Sequence, residues 1–418
     1  MFKKAEIILC FSLCFLISNS EIFARGGDAI RSNAPTIALV LDARAGNEGP
    51  LLDAYFDDQI DYFLDMEPAT NAITRDLYNL RGAGQAIESG DYSTADQRIR
   101  SLPRFENEKI YLKGVLDAAL GKYEASLENF RQLIDNRKKL SPHLASLAFM
   151  GAARIFHEVG DYKQAIYHYN QVGPLDSEIF EAIFEKSWSF YLDGDMNGAL
   201  GATLAATSPF YDNEFFPEAF VVRAAAFFQT CYFERASLTV EKFKKDYSNL
   251  LNQFQELQRR GPASWLFDDR ILNSMNPKVR GALIANNAFR STMRAYLKAK
   301  DEATRLRGAD AALATQVLNF LKGRLVEQAS FVISKAERVL QNQLAEADKI
   351  QLEILQAGVN KLMGLPPEQN MKMHTMNLSS VDFDGRVQFY PFKGEFWLDE
   401  LPSYYYGLKS NCENTEGS

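Results

Sequence analysis

Histidine is scarce, with 4 in 418 residues. His143, His157, His168 and His374 show no metal-ligand spacing, and no H-E-x-x-H is present. Also missing are the phosphate-cradling P-loop and the G-x-S-x-G nucleophile elbow. The stretch RGAGQAI (81–87) has two glycines without the third of a dinucleotide loop, and it falls on a predicted helix. These absences point to a non-catalytic chain that needs no cofactor and no metal. Positive charge is not in excess: the formal net charge is −8, which leaves no basic stripe for nucleic acid. After the first two dozen residues no apolar run approaches the length of a membrane span, so the mature chain is expected to be soluble. Proline is missing between Pro277 and Pro366.

What is present begins with an export signal. Lys3 and Lys4 precede an apolar run, Ile7 to Ile17, that is too short to span a bilayer. Small residues at Ser18, Ser20 and Ala24 offer a cleavage site, so 1–24 reads as a signal peptide and the chain as periplasmic or otherwise exported. Cys10 and Cys14 lack the small residues that precede a lipid-anchored cysteine. Cys231 and Cys412 remain; either they pair in an oxidising compartment or they stand as two separate buried thiols.

A second positive feature is a recurring stretch. GDYSTA (90–95), GKYEAS (121–126), GDYKQA (160–165), GDMNGA (194–199) and CYFERA (231–236) share one pattern. The third residue is Tyr92, Tyr123, Tyr162, Met196 or Phe233. Three residues on comes a small one: Ala95, Ser126, Ala165, Ala199 or Ala236. Glycine ends one helix in a left-handed conformation, the next polar residue starts another, and the small residue lets two helices approach. Each unit then reads as a helix hairpin of about 34 residues that must stack on its neighbours to bury its face.

The set resembles the tetratricopeptide repeat (TPR) family, through Gly114, Tyr123 and Phe130; Phe156, Gly160, Tyr162, Ala165 and Tyr169; Phe190, Gly194 and Ala199; and Phe227, Phe233 and Ala236. The resemblance implies an all-α fold with a TPR-like α-solenoid over 69–250. It also implies a concave groove lined by the first helix of each unit. Carried across, its positions are Glu108, Tyr111 and Val115; Met150, Arg154 and His157; Glu181, Phe184, Trp188 and Tyr191; and Val221 and Phe228. Of these, Tyr111, Arg154, His157, Phe184, Trp188, Tyr191 and Phe228 are the candidate contacts to a protein partner, since rings bury much area and Arg154 can hold a carboxylate. Packing of Trp188 and Phe184 against this same chain, its own tail included, is the competing expectation.

The remainder divides into a segment at 25–68, a long helical hairpin at 251–365 and a tail at 366–418. Within the first, TIALVLDA (36–43) reads either as a strand or as a helix start. Asp53, Asp57, Asp61 and Asp65 share one face of a predicted helix, read as a solvated acidic face opposite Leu52, Tyr55, Phe56, Ile60 and Phe63, with a divalent-cation site as the alternative. In the hairpin, a helix from about 310 to 360 carries a seam at Leu318, Leu325, Val332 and Val339, packed inside the chain or in a coiled-coil dimer. Residues 276–303 form the opposing arm. The tail is aromatic: Val387, Phe389 and Phe396 predict a small β-type hairpin or strand laid on the helices. DFDG (382–385) reads as a turn. GEFWLDELPSYYYGLKSNC (394–412) resembles, through Trp397, Asp399, Glu400, Leu401 and Cys412, the ending of exported TPR proteins from predatory and gliding bacteria, which implies envelope assembly or motility. The expected role is a scaffold for other envelope proteins or peptides, with peptidoglycan or an outer-membrane-associated complex as further partners. Alternatives are a self-oligomerising envelope component and a cell-wall glycan binder. The oligomeric state stays open.

Overall fold

The computed structural model describes residues 34, 36–38, 40–41, 79–80, 82–84, 86–87, 89–103, 105–176, 178–363 and 394–412. The signal segment, the acidic face at 53–65, His374, DFDG, Val387 and Phe389 lie outside these. The described residues are mostly α-helical, with no strand among them. The helices are α1 (Tyr92–Arg100), α2 (Glu106–Ala119), α3 (Tyr123–Asp135), α4 (Pro142–Glu158), α5 (Tyr162–Tyr169), α6 (Ile179–Asp193), α7 (Met196–Ala206), α8 (Glu218–Gln229), α9 (Phe233–Arg260), α10 (Asp269–Ser274), α11 (Pro277–Ala285), α12 (Asn287–Ala303) and α13 (Gly308–Leu362).

The recurring stretch builds the same joint each time. Gly90, Gly121, Gly160 and Gly194 take φ of +78°, +72°, +83° and +84°, and Cys231 takes the equivalent place at +59°. At each joint the next residue's N–H reaches back five residues, as from Asp161 to Phe156 O (2.9 Å), Asp195 to Phe190 O (2.9 Å) and Tyr232 to Phe227 O (2.9 Å). That bond satisfies a carbonyl the ending helix leaves open. Three of the joints then reuse the following aspartate as the next N-cap. Asp91, Asp161 and Asp195 accept from the N–H of Thr94 (3.1 Å), Gln164 (3.2 Å) and Gly198 (2.9 Å), each cap contributing about 1 kcal/mol. Ala95, Ser126, Ala165, Ala199 and Ala236 have no exposed surface, as close helix approach requires.

The chain divides into two compact units. The first takes the described residues up to 129 together with 260–274 and 282–333. Here α1 packs on α2, and Ser126 Oγ donates to Gly114 O (2.8 Å). Residues 36–38 and 40–41 are helical, which resolves the open choice at 36–43. The Thr36 and Ile37 N–H groups donate to the buried Glu302 carboxylate (3.1 and 3.0 Å), so a glutamate on α12 caps that helix. The Lys322 ammonium lies over the rings of Phe267 and Tyr296, 5.3 and 5.9 Å from their centroids.

The second unit takes 130–259, 275–281 and the described residues from 334 to 412. In it α4 packs on α5, α5 on α6, α6 on α7, and α7 on α8. One core gathers Met150, Tyr169, Ile183, Phe184, Ala202 and Leu401; a second gathers Tyr191, Met196, Leu200, Val222, Phe227 and Ala236.

Three long-helix details differ from the reading of the sequence. α9 runs unbroken through residue 250, with Tyr247, Leu250, Phe254 and Leu257 continuing its buried stripe, so the 250/251 division falls inside a helix. The arm at 276–303 is two helices, broken where the Asn286 side chain caps α12 by accepting from Phe289 N–H (2.8 Å). α13 is one helix of 55 residues, but its buried stripe is Val317, Leu321, Leu325, Ala329, Val332, Ala336 and Leu340. Leu325 and Val332 belong to it, whereas Leu318 and Val339 are only half-buried. A strict seven-residue repeat drifts by about 20° per heptad around a straight helix, which rotates the two outer positions off the seam.

Candidate functional site

Six of the seven candidate groove residues fall in the second unit, on α4, α6 and α8. Tyr111, half-buried on α2, belongs to the first. Arg154 on α4 makes a two-pronged pair with Glu185 on α6: Nε and Nη2 each donate at 2.9 Å to a different carboxylate oxygen. Tyr169 OH donates to the same carboxylate (3.0 Å). Burial and the Glu185 charge hold that phenol well above its usual range. His157 Nδ1 lies 2.8 Å from Ser189 Oγ, with its ring edge-on to Tyr162; burial pushes its pKa down.

The half-buried Trp188 stands edge-on to Tyr191, centroids 5.9 Å apart, and is hydrogen-bonded to Glu218 on α8. Phe184 is buried and packs its ring 5.0 Å from Phe216; Phe228 is half-buried, 5.5 Å from Phe233. Around them sits an acidic set. Burial raises Glu178 and Glu218 above the usual carboxylate range and pushes Glu181 up to about 7. Glu181, Glu185 and Trp188 follow one another at i, i+4, i+7 along one face of α6. On that face Glu185 is held by Arg154 and Tyr169, and Trp188 by Glu218.

The tail packs into the core that holds Phe184 and against which Trp188 packs, as the competing expectation had it, and it reaches further residues beyond. From Gly394 to Cys412 it runs mostly without regular structure, apart from one 3-10 turn at Leu401–Ser403. Leu401 is fully buried, in the core that holds Phe184. The chain then follows α7 toward its N-terminus. Tyr405 OH donates to Asp195 (3.0 Å), and Tyr406 N–H donates to Asn197 O (3.1 Å). The Asn197 side chain reads the backbone of Leu408 in both directions: its Oδ1 accepts from the N–H and its Nδ2 donates to the carbonyl, both at 2.9 Å. Tyr232 OH donates to Lys409 O (2.9 Å), Asn411 N–H to Thr230 O (3.0 Å), and Cys412 forms a disulfide with Cys231. The choice left open for the two cysteines resolves as a pair. Of the residues that carried the resemblance of this tail, Trp397, Asp399 and Glu400 are exposed, while Leu401 and Cys412 anchor it.

Sequence reasoning missed Lys186, Asp195 and Asn197, which hold this tail. Lys186 carried a usable signal: it sits between Ile183 and Phe190 on an apolar side of α6. Its ammonium donates to Asn170 Oδ1 (2.8 Å) and to the carbonyl of Pro402. Burial pulls its pKa down to about 7. An unfolded lysine keeps its proton to about pH 10.4. Between about pH 7 and 10 the unfolded chain therefore binds more protons, and stability rises with pH. The urea midpoint is expected to rise from pH 7 to 9.5, and Lys186→Met should flatten that rise. An equal slope in both chains would remove Lys186 as its source.

Among the described residues no group of three or more His, Cys, Asp or Glu is placed to hold a metal ion, and no helix is long and apolar enough to cross a membrane. Compared with known proteins, the sequence matches no protein-family model and no curated protein.

Proposed function

We propose that this chain is an exported, non-catalytic scaffold of TPR-like helix hairpins that binds a segment of an envelope protein. The observation that carries the reading is the joint repeated at Gly90, Gly121, Gly160, Gly194 and Cys231, with the same backward N–H bond each time. Within the second unit, hairpins that repeat this joint stack on their neighbours, and α4, α6 and α8 are proposed to build one face. On that face Trp188 is the proposed anchor, half-buried beside Glu181 on α6. The Cys231–Cys412 disulfide favours an oxidising compartment, in keeping with the signal segment at 1–24. Envelope assembly or motility is the proposed setting.

The test is capture from an envelope extract, followed by the dissociation constant of the partner so identified, wild type against Trp188→Ala. Arg154→Ala is unsuitable because it breaks the pair with Glu185. We expect Trp188→Ala, with unchanged helical circular dichroism, to weaken binding by about tenfold or more. Equal affinity would exclude this face. The self-association reading is favoured by one observation: Leu352, Leu355 and Val359 on the last turns of α13, with Met363 just past its end, form an exposed apolar stripe. Light scattering on the same preparation separates the two, a monomer being expected for the scaffold and a defined oligomer for the alternative.

A further inference from the structure

Trp397 is 59% exposed, whereas Trp188 is half-buried and Trp265 fully buried. Leu398 beside it is exposed as well. The backbone of Trp397, in contrast, is fixed. Its N–H donates to Tyr404 OH (3.0 Å), and its carbonyl accepts from the N–H groups of Glu400 and Leu401 (both 3.1 Å). The Tyr404 ring lies 5.9 Å from that of Phe396. This turn is pinned at its far end, where Leu401 enters the core and the Pro402 carbonyl accepts from the Lys186 ammonium. The fold gains little from an indole that stays mostly in water. A turn already held in this way costs little further entropy when a partner takes hold of it.

The charge beside the indole is all of one sign. Glu395, Asp399 and Glu400 lie within three positions of Trp397, and all three are exposed. Among the described residues no lysine, arginine or histidine pairs with them. Carboxylates without partners favour a cationic occupant and repel an anionic lipid surface. Arginine answers both features of the turn. Its planar guanidinium stacks on an indole and makes two parallel bonds to a carboxylate, whereas lysine offers a compact, strongly hydrated point charge.

We propose that the turn at 395–401 is a docking knob for an arginine-rich segment of a partner protein. Trp397 is its anchor, and Glu395, Asp399 and Glu400 are its acceptors. The knob uses none of the candidate contacts on α4, α6 and α8, and it stands whether or not that face binds a partner.

The test is the affinity of the full-length chain for hexa-arginine, read by fluorescence anisotropy of the labelled peptide, beside hexalysine of equal charge. Wild type is expected to bind hexa-arginine about threefold or more tightly than hexalysine. Trp397→Ala is expected to weaken hexa-arginine about tenfold or more. That substitution leaves the net charge unchanged, so general attraction of a polycation to an acidic chain does not account for the loss. Its urea midpoint should match wild type, because the hydrogen bonds of the turn use only the Trp397 backbone. The second variant, Glu395→Gln with Asp399→Asn and Glu400→Gln, keeps the indole and is expected to remove most of the binding and its salt dependence. The proposal is overturned if hexa-arginine binds no more tightly than about 1 mM, if hexalysine binds equally well, or if either variant binds like wild type. Vesicles of phosphatidylcholine and phosphatidylglycerol are expected not to bind; binding to them that Trp397→Ala removes would overturn the proposal in favour of a lipid surface.

Discussion

Replacing Cys412 by serine is expected to lower the stability of the second unit by up to about 5 kcal/mol. The Cys231–Cys412 bond closes a loop with a sequence separation of 181 residues, and loop-closure entropy grows with the logarithm of that length. A chain without the bond has a far larger unfolded ensemble. The measurement is the urea midpoint of wild type and variant, each with and without a dithiol reductant. Reduction should bring wild type down to the variant and leave the variant unmoved. Coincident midpoints in all four samples would mean that the two thiols do not pair in solution.

The second large effect is expected at Gly201. Alanine in place of glycine inside an exposed helix ordinarily adds about 1 kcal/mol of stability. On α7 the opposite sign is expected. A Cβ at Gly201 would lie 1.9 Å from the Tyr404 carbonyl oxygen and 2.7 Å from Tyr405 Cα, both tail backbone atoms that have no rotamer by which to move aside. The tail must lift, and Leu401 with it. A net loss of about 2 kcal/mol is expected, in the range of overpacked cores, together with new protease cleavage within 394–412. A Gly201→Ala chain as stable as wild type would show that the tail does not lie on α7. The double variant with Cys412→Ser should lose less than the sum of the two, because each change releases the same segment.

The five joints were legible because each is a local device. A residue at positive φ, a glycine at four joints, followed at three of them by an aspartate that caps the next helix, needs no distant residue to specify it. The length of α13 was legible for a similar reason, the lack of proline between Pro277 and Pro366. Its seam was placed less well: Leu318 and Val339 satisfy a period of seven, but a straight helix turns away from that period. The division drawn at 250 falls inside α9, because Tyr247, Leu250, Phe254 and Leu257 extend that helix with the same spacing that built it. The seat of the tail could not be read at all. It depends on Asn197 meeting the backbone of a residue 211 positions away and on a glycine whose role is to be absent as a side chain. For the candidate contacts, chain order placed Arg154, His157 and Trp188 on equivalent helices. It could not reveal that Glu185, Ser189 and Glu218 are their partners within the chain, because those pairings are set by how α4, α6 and α8 dock.

The disulfide also determines how the molecule bears load. Tension applied to the chain beyond Cys412 passes straight to Cys231, at the turn between α8 and α9, and bypasses the tail and everything from α9 to α13. At roughly 3.5 Å per residue, about 600 Å of contour length is withheld from extension while that one bond holds. A pulling experiment would then register an extension shorter by that length than the reduced chain gives.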